Sequence, residues 1–366
     1  MVYIEECRQR ISRWLEALLR SRCGDLEKVN PLGRELAERL VRFAGQGKML
    51  RGALVCLGSG LLEHGVRPAG EAALAVGAAM ELFQSGLLVH DDIMDRDATR
   101  RGQPTIHRQY ADEAEQHGVR DSGHLGQSLG ICAGDAAFFL GFEVLAGPPV
   151  PQQARAGLLG LCARELSRVA VAQMQDVAWG AKPAFGGAGP GSEADAIADE
   201  EVLRLYTYKT ARYTFSMPLM AGALLAGCES SELAALERLG ECLGILFQLR
   251  DDLLDLFGDE RELGKPVGSD LREGKKTLLI GRLLARAPAA TADRLRDILG
   301  NTGIGEAELD FVRRQSEGLG VLAEVQELAA GQAAEARRLI EGLPHARAEE
   351  QRVLMELLRY TSERTR

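Results

Sequence analysis

The chain has 366 residues, 46% of them hydrophobic and 27% charged, a composition that suits a folded globular protein and excludes a disordered one. Its net charge of −9 excludes general affinity for nucleic acid, so an anionic partner must be met by local cations or by metal. Seven cysteines without CxxC or paired spacing exclude a disulfide framework and read as small buried hydrophobes in a reducing, cytoplasmic setting.

The N-terminus, MVYIEECRQR, is charged too early for a secretory signal. Residues 2–22 form an amphipathic pattern with Ile4, Ile11, Leu15, Leu18 and Leu19 on one side. Pro31 opens a second helix running to about Phe43. A turn follows, Gly45-Gln46-Gly47-Lys48-Met49-Leu50-Arg51, with Lys48 and Arg51 three apart. Backbone N–H groups and two cations of this kind can hold a phosphate, although most such turns are ordinary helix boundaries. Helices are expected at about 49–63 and 69–97. The run from Ala72 to Val89 is long and apolar, with one charged residue in it. Glu81 and Gln84 interrupt it, so it reads as a core helix and no membrane span is expected.

That helix ends in Asp91, Asp92 and Asp95, at i, i+1 and i+4, which puts Asp91 and Asp95 one turn apart on nearly one face. Like charges at this spacing destabilise a helix unless something cationic sits on them. All-oxygen donors suit a hard cation such as Mg2+, which is commonly shared between carboxylates and a substrate phosphate. Arg100 and Arg101 come next, and arginine reads phosphate bidentately. Acid for metal followed by base for phosphate predicts a diphosphate substrate.

Pro104 breaks the chain after the arginine pair, and Gly118–Gly126 reads as a loop with His117 and His124 at the surface. A buried helix is expected at 127–146 and a long one at 152–179, the latter carrying Gln173 and Asp176. Asp176 is either a helix-surface acid or a partner to a substrate ligand. The Gly-, Pro- and Ala-rich stretch 183–198 reads as a mobile surface loop. Lys209 and Thr210 stand in YTYKTA. Residues 233–257 form a helix that repeats the acidic spacing in Asp251, Asp252 and Asp255. The Gly-punctuated loop after it carries Lys265, Asp270, Lys275 and Thr277. Helical periodicity continues to the C-terminus. No stretch alternates convincingly enough to predict a sheet.

The paired DDxxD clusters, at Asp91–Asp95 and Asp251–Asp255, resemble the two aspartate-rich motifs of the trans-isoprenyl diphosphate synthases, the polyprenyl synthetase family that includes farnesyl and geranylgeranyl diphosphate synthases. The likeness runs from about residue 45 to 280. It implies a single all-α domain, the isoprenoid synthase bundle around a central apolar cavity, with both clusters at its mouth. The activity implied is condensation of isopentenyl diphosphate with an allylic diphosphate (dimethylallyl, geranyl or farnesyl). A homodimer and three Mg2+ ions, replaceable by Mn2+, come with the family.

The resemblance assigns metal to Asp91, Asp95, Asp251 and Asp255, with Asp92, Asp252 and, as the other reading, Asp255 acting through waters or by orienting the metal ligands. It gives the allylic diphosphate to Arg100, Lys209, Lys265 and Lys275, and isopentenyl diphosphate to Lys48, Arg51, Gln84 and Arg101. Gln46 replaces a family glycine and Met49 an arginine in the first turn. Gln84 stands where many members have His, and satisfying a polar group inside the bundle is an equal reading for it. Thr210 and Gln248 would offer oxygens to the carbocation. In the family, aromatic residues just below the first aspartate stop growth at the farnesyl stage. Here Gly86 and Leu87 leave room, and Phe83 is the first large ring on the stripe, which predicts geranylgeranyl diphosphate, with farnesyl or a longer chain as alternatives. A terpene cyclase, a head-to-head synthase and a noncatalytic prenyltransferase subunit each lack one of these features.

Overall fold

The computed structural model describes residues 2–62, 70–180, 197–258 and 267–363; Lys265 and most of the loop expected at 183–198 lie outside them. The chain closes into two compact units: residues 1–162, 218–233 and 345–350 in the first, and 163–217, 234–344 and 351–366 in the second. Both are helical. Among the described residues the one sheet is a hairpin of two-residue strands, β1 (Thr99–Arg100) and β2 (Gln103–Pro104).

In the first unit, α1 (Val2–Glu27) buries Cys7, Ile11, Leu15 and Leu19, a repeat of four residues that forms one stripe. It packs on α2 (Leu32–Gly45), α3 (Leu50–Gly60) and α4 (Gly70–Met94). Helix α4 is buried almost all round, from Ala72 to Val89 and again at Asp92. A helix without a polar face must be covered on every side. Small residues allow that: a Cβ on Gly77 would come 3.1 Å from the Cα of Gly52 in α3.

Helix α5 (Ile106–Gln116) and α6 (Ser122–Ala146) complete this cover. The loop expected up to Gly126 is shorter than its glycines suggest. Asp121 caps α6 by accepting from His124 N, and Gly126 inside the helix lets it approach α5 closely, since a Cβ there would meet the His107 carbonyl at 2.4 Å. His117 and His124 are exposed, as expected. Helices α4 and α6 are both long and apolar enough to cross a membrane by length and composition. The apolar window of α4 is 78% buried, as a core helix requires, and that of α6 is 44% buried.

The second unit holds the C-terminal part of α7 (Gln152–Gly180), then α8 (Asp199–Leu205), a π-helix (Tyr206–Ser216), most of α10 (Ser230–Phe257) and the later helices. Helix α9 (Met217–Leu225) falls largely in the first unit. The π-helix is wider than an α-helix because its hydrogen bonds run i→i+5. It lies against α10 almost backbone to backbone: a Cβ on Gly244 would sit 2.2 Å from Ala211 Cα, and one on Gly240 would sit 2.4 Å from Ser216 Cα.

The π-helix also points Arg212 into a buried acidic nest. Arg212 donates twice to Glu165 at 2.9 Å, to Glu241 at 2.5 Å and to Glu237. Breaking such a buried pair leaves an uncompensated charge and costs about 3–5 kcal/mol. The remaining helices are α11 (Ser269–Arg272), α12 (Leu278–Arg286), α13 (Ala289–Ile298), α14 (Glu306–Gly318), α15 (Val321–Glu341) and α16 (Ala348–Glu363).

Candidate active site

The first acidic cluster ends α4. Asp92 is fully buried, Asp91 is half-buried and Asp95 is exposed. Arg100 reaches back from β1, donating from Nε to Asp92 Oδ1 at 2.5 Å and standing 3.6 Å from Asp91 and 3.7 Å from Asp97. Burial pushes the Asp92 carboxyl up to about 6, against the pull of Arg100. Asp92 Oδ2 is buried and makes no hydrogen bond.

The next residue goes elsewhere. Arg101 and Gly102 form the two-residue turn of the hairpin, with φ of 53° and 73°. Two positive φ values mark a tight turn matched to strand twist, and Gly is the ordinary occupant of such positions. Arg101 adopts one nevertheless. Its guanidinium reaches the Gly45–Arg51 turn, where a Cβ on Gly47 would stand 3.6 Å from it. In that turn Met49 is left-handed at φ 49° and immediately precedes α3. Lys48 is exposed and Arg51 half-buried.

Behind the turn lies Glu81, buried in α4. Its Oε1 accepts from Gly52 N at 2.8 Å, and burial raises its carboxyl against the opposing charges of Arg51 and Arg101. Lys48, Arg51 and Arg101 therefore share one region, with Glu81 as its buried counter-charge. Gln84 is half-buried on α4, three residues beyond Glu81. No role for Glu81 follows from the sequence; the available signal was a carboxylate inside an otherwise uncharged run.

The second cluster ends α10 in the other unit and is differently occupied. Asp251 is half-buried. Asp252 is buried and accepts from the Tyr206 hydroxyl and, at 2.8 Å, from Gln248 Nε2. Burial pushes its carboxyl up to about 8, reinforced by the charge of Asp270. Thr210 Oγ1 donates to Gln248 Oε1 at 2.8 Å, which unites the two oxygens expected beside a carbocation.

Asp255 is held by the segment that follows the cluster. It is buried, and its oxygens accept from Ser269 Oγ at 2.5 Å, Ser269 N at 3.2 Å and Asp270 N at 3.0 Å. Its side chain ties down the start of α11, so three of its acceptor positions are already used within the chain. Lys209 is half-buried and donates to Asp176, so Asp176 is a partner and not a free surface acid. Lys275 pairs with Glu273 at 2.5 Å and Asp270 at 3.4 Å.

These donors suit a hard cation. They are carboxylate oxygens, without thiols, and Asp92 keeps one buried oxygen without a partner. Among the described residues, no three His, Cys, Asp or Glu side chains are gathered closely enough to hold an ion by themselves. Magnesium tolerates this, since it keeps several waters and takes further oxygens from a substrate phosphate.

The stripe below Asp91 is partly as expected. Phe83 is fully buried, with ring centroids 4.9 Å from Phe142 and 6.4 Å from Phe138 of α6. The room expected at Gly86 is already taken. A Cβ there would meet Gly134 O at 2.8 Å and the Phe138 ring at 3.0 Å, because α6 moves in against the missing side chain. Leu87 is half-buried.

The chain is similar to proteins already known. A family model described as polyprenyl synthetase matches residues 34–314. A short chain isoprenyl diphosphate synthase of Methanothermobacter thermautotrophicus is 34% identical over 258 residues, covering 70% of this chain and 68% of that protein. A geranylgeranyl diphosphate synthase of Sulfolobus acidocaldarius is 33% identical, over 80% of this chain and 79% of its own. The crystal structure of geranylgeranyl pyrophosphate synthase from Corynebacterium glutamicum, complexed with isoprenyl diphosphate and magnesium, superposes with a TM-score of 0.85 at 27% identity, covering 99% and 98% of the two chains.

Proposed function

The chain belongs to the polyprenyl synthetase family and is a trans-prenyltransferase, and from that premise we propose that it condenses isopentenyl diphosphate with an allylic diphosphate to give a short all-trans prenyl diphosphate. The main product in this reading is geranylgeranyl diphosphate. The observation that carries it is the division between neighbouring arginines: Arg100 on the acidic cluster, Arg101 at a turn with Lys48 and Arg51. One diphosphate is met with carboxylates and cations together, the other with cations alone.

Asp91, Asp95 and Asp251 would hold magnesium, which when bound neutralises charge developing on the leaving diphosphate. Arg100 neutralises the same charge from the protein side, and Lys209 does so once it exchanges Asp176 for phosphate. Lys275, just after α11, joins them, and Lys265 keeps the role that the sequence reading gives it. Lys48, Arg51, Gln84 and Arg101 orient isopentenyl diphosphate so that its double bond meets the cation. Thr210 and Gln248, joined by their hydrogen bond, would offer oxygens to that cation. Phe83, closed in by Phe138 and Phe142, limits chain length in this scheme. The same reading carries manganese as a substitute ion, a homodimer and a cytoplasmic setting.

The test is incubation with isopentenyl diphosphate and Mg2+, supplying dimethylallyl, geranyl and farnesyl diphosphate in turn, followed by product chromatography. Accumulation of geranylgeranyl diphosphate is expected. Cyclised hydrocarbon, a head-to-head dimer or no turnover would overturn the proposal, while a farnesyl or longer end product would correct only its length.

A further inference from the structure

We propose that Tyr206 is a positioning residue for the reaction, acting through Asp252 to fix which end of the Gln248 amide faces Thr210. The proposal rests on the reading above that Gln248 and Thr210 present oxygens to the cation.

Tyr206 opens the π-helix and is buried at 6% exposure. A buried tyrosine hydroxyl ordinarily needs a hydrogen-bond partner, and it has a single proton to give. Leu278 N, at the start of α12, lies 3.0 Å from that hydroxyl. A backbone N–H can only donate, so the tyrosine oxygen accepts there. Its own proton is left for Asp252, where the hydroxyl meets Oδ2.

The other carboxyl oxygen, Oδ1, takes the side-chain N–H of Gln248 at 2.8 Å. With its nitrogen held, the amide must show its carbonyl oxygen to the opposite side. Thr210 Oγ1 donates to that oxygen at 2.8 Å. When Asp252 is ionised and accepts at both oxygens, the directions of four hydrogen bonds are thus set in series from one backbone amide. Every link lies within the second unit.

Direction matters because an amide has two unlike ends. An oxygen turned toward a carbocation stabilises it, and an N–H turned the same way opposes it. Loss of the Tyr206 hydroxyl leaves Asp252 Oδ2 without this donor and Leu278 N without this acceptor. The amide of Gln248 then has less to stop it turning over. The effect should fall on the cationic transition state and spare ground-state binding of both diphosphates, whose proposed ligands are untouched.

The experiment compares Tyr206→Phe, Asp252→Asn, the double variant and Gln248→Leu. It measures kcat, both Michaelis constants, the Mg2+ concentration for half-activation and melting temperature. Tyr206→Phe is expected to lower kcat about tenfold, with both constants and the Mg2+ midpoint within about twofold of the parent. Asp252→Asn should behave alike, and the double variant should be no worse than the weaker single one, since both cut one series. Asp252→Asn also stands in for Tyr206→Phe should the latter fail to fold.

Unchanged kcat in Tyr206→Phe, with Gln248→Leu impaired, would overturn the positioning role and leave the carbocation reading standing. Full activity in Gln248→Leu would overturn both. Multiplying losses in the double variant, or an Asp252→Asn effect seen mainly as a raised Mg2+ midpoint, would show Asp252 acting as a metal ligand and overturn the proposal.

Discussion

The two DDxxD clusters are the same string of spacings folded into different surroundings. At the end of α4, one aspartate of the three, Asp92, is buried and bound by Arg100, while Asp91 and Asp95 lie nearer solvent. At the end of α10, two of the three are buried and bound: Asp252 by Tyr206 and Gln248, Asp255 by Ser269 and Asp270. The spacing places carboxylates on one helical face in both cases. What each carboxylate can then do depends on which donors the rest of the chain brings to it.

If that contrast is right, the largest effects come from the metal side. Chelation with EDTA should abolish turnover, with Mg2+ or Mn2+ restoring it. Asp91→Asn and Asp251→Asn should each lower kcat about 10³-fold, equivalent to about 4 kcal/mol, and raise the Mg2+ midpoint. Asp255→Asn should differ in kind. Its loss should appear first as stability, about 1–3 kcal/mol in denaturant unfolding, with the Mg2+ midpoint much less affected. An Asp255→Asn variant as stable as the parent but with a raised Mg2+ midpoint would erase the difference drawn here.

A second pair of variants separates the two diphosphates. Lys48→Ala or Arg51→Ala should raise the Michaelis constant for isopentenyl diphosphate about tenfold, the worth of roughly 1.4 kcal/mol, with little change for the allylic primer. Equal increases in both constants would contradict the separate placement of Arg100 and Arg101.

Product length is a smaller energetic question with a clear readout. Phe83→Ala should lengthen the product, and Leu87→Phe should shorten it toward farnesyl diphosphate. Because Phe83 is a fully buried ring, its removal also costs about 3–5 kcal/mol of stability, so products are compared well below the melting temperature. An unchanged product distribution in both variants would show that α4 does not limit growth.

The mildest effect concerns pH. Burial pushes the Glu165 carboxyl up, but the hydrogen bonds and charge of Arg212 outweigh it and hold the group below its ordinary value. A depressed folded pKa gives stability that is fully present above the unfolded value of about 4.3. It is lost as pH falls through the folded value. Acid unfolding should therefore begin below about pH 4, and Glu165→Gln should be destabilised near neutrality yet show a shallower acid slope. An identical acid slope in the variant would remove Glu165 from the account.

The helices that carry the clusters were legible because apolar periodicity survives in one dimension, and the two acidic faces follow from it. Lys48, Arg51, Arg100 and Arg101 were legible by type and spacing. The structure adds the separation of the two arginines, which depends on a left-handed residue that no propensity favours. Tyr206 was hidden because its partners lie 46 and 72 positions away. The donors to Asp255 were hidden for the same reason, since they stand 14 and 15 residues further on. Gly86 misled because an absent side chain says nothing about which neighbour fills the gap, and here Phe138 does.

The hairpin at Thr99–Pro104 makes the chain sensitive to counting. Successive residues there serve opposite customers, one arginine for the acidic cluster and one for the Lys48 turn. Adding or removing one residue between Asp97 and Arg100 would exchange the parity of the two and send each guanidinium to the wrong address. Substitution can adjust either arginine alone, but a change of length cannot. This short segment should therefore tolerate varied side chains far better than a single inserted or deleted residue.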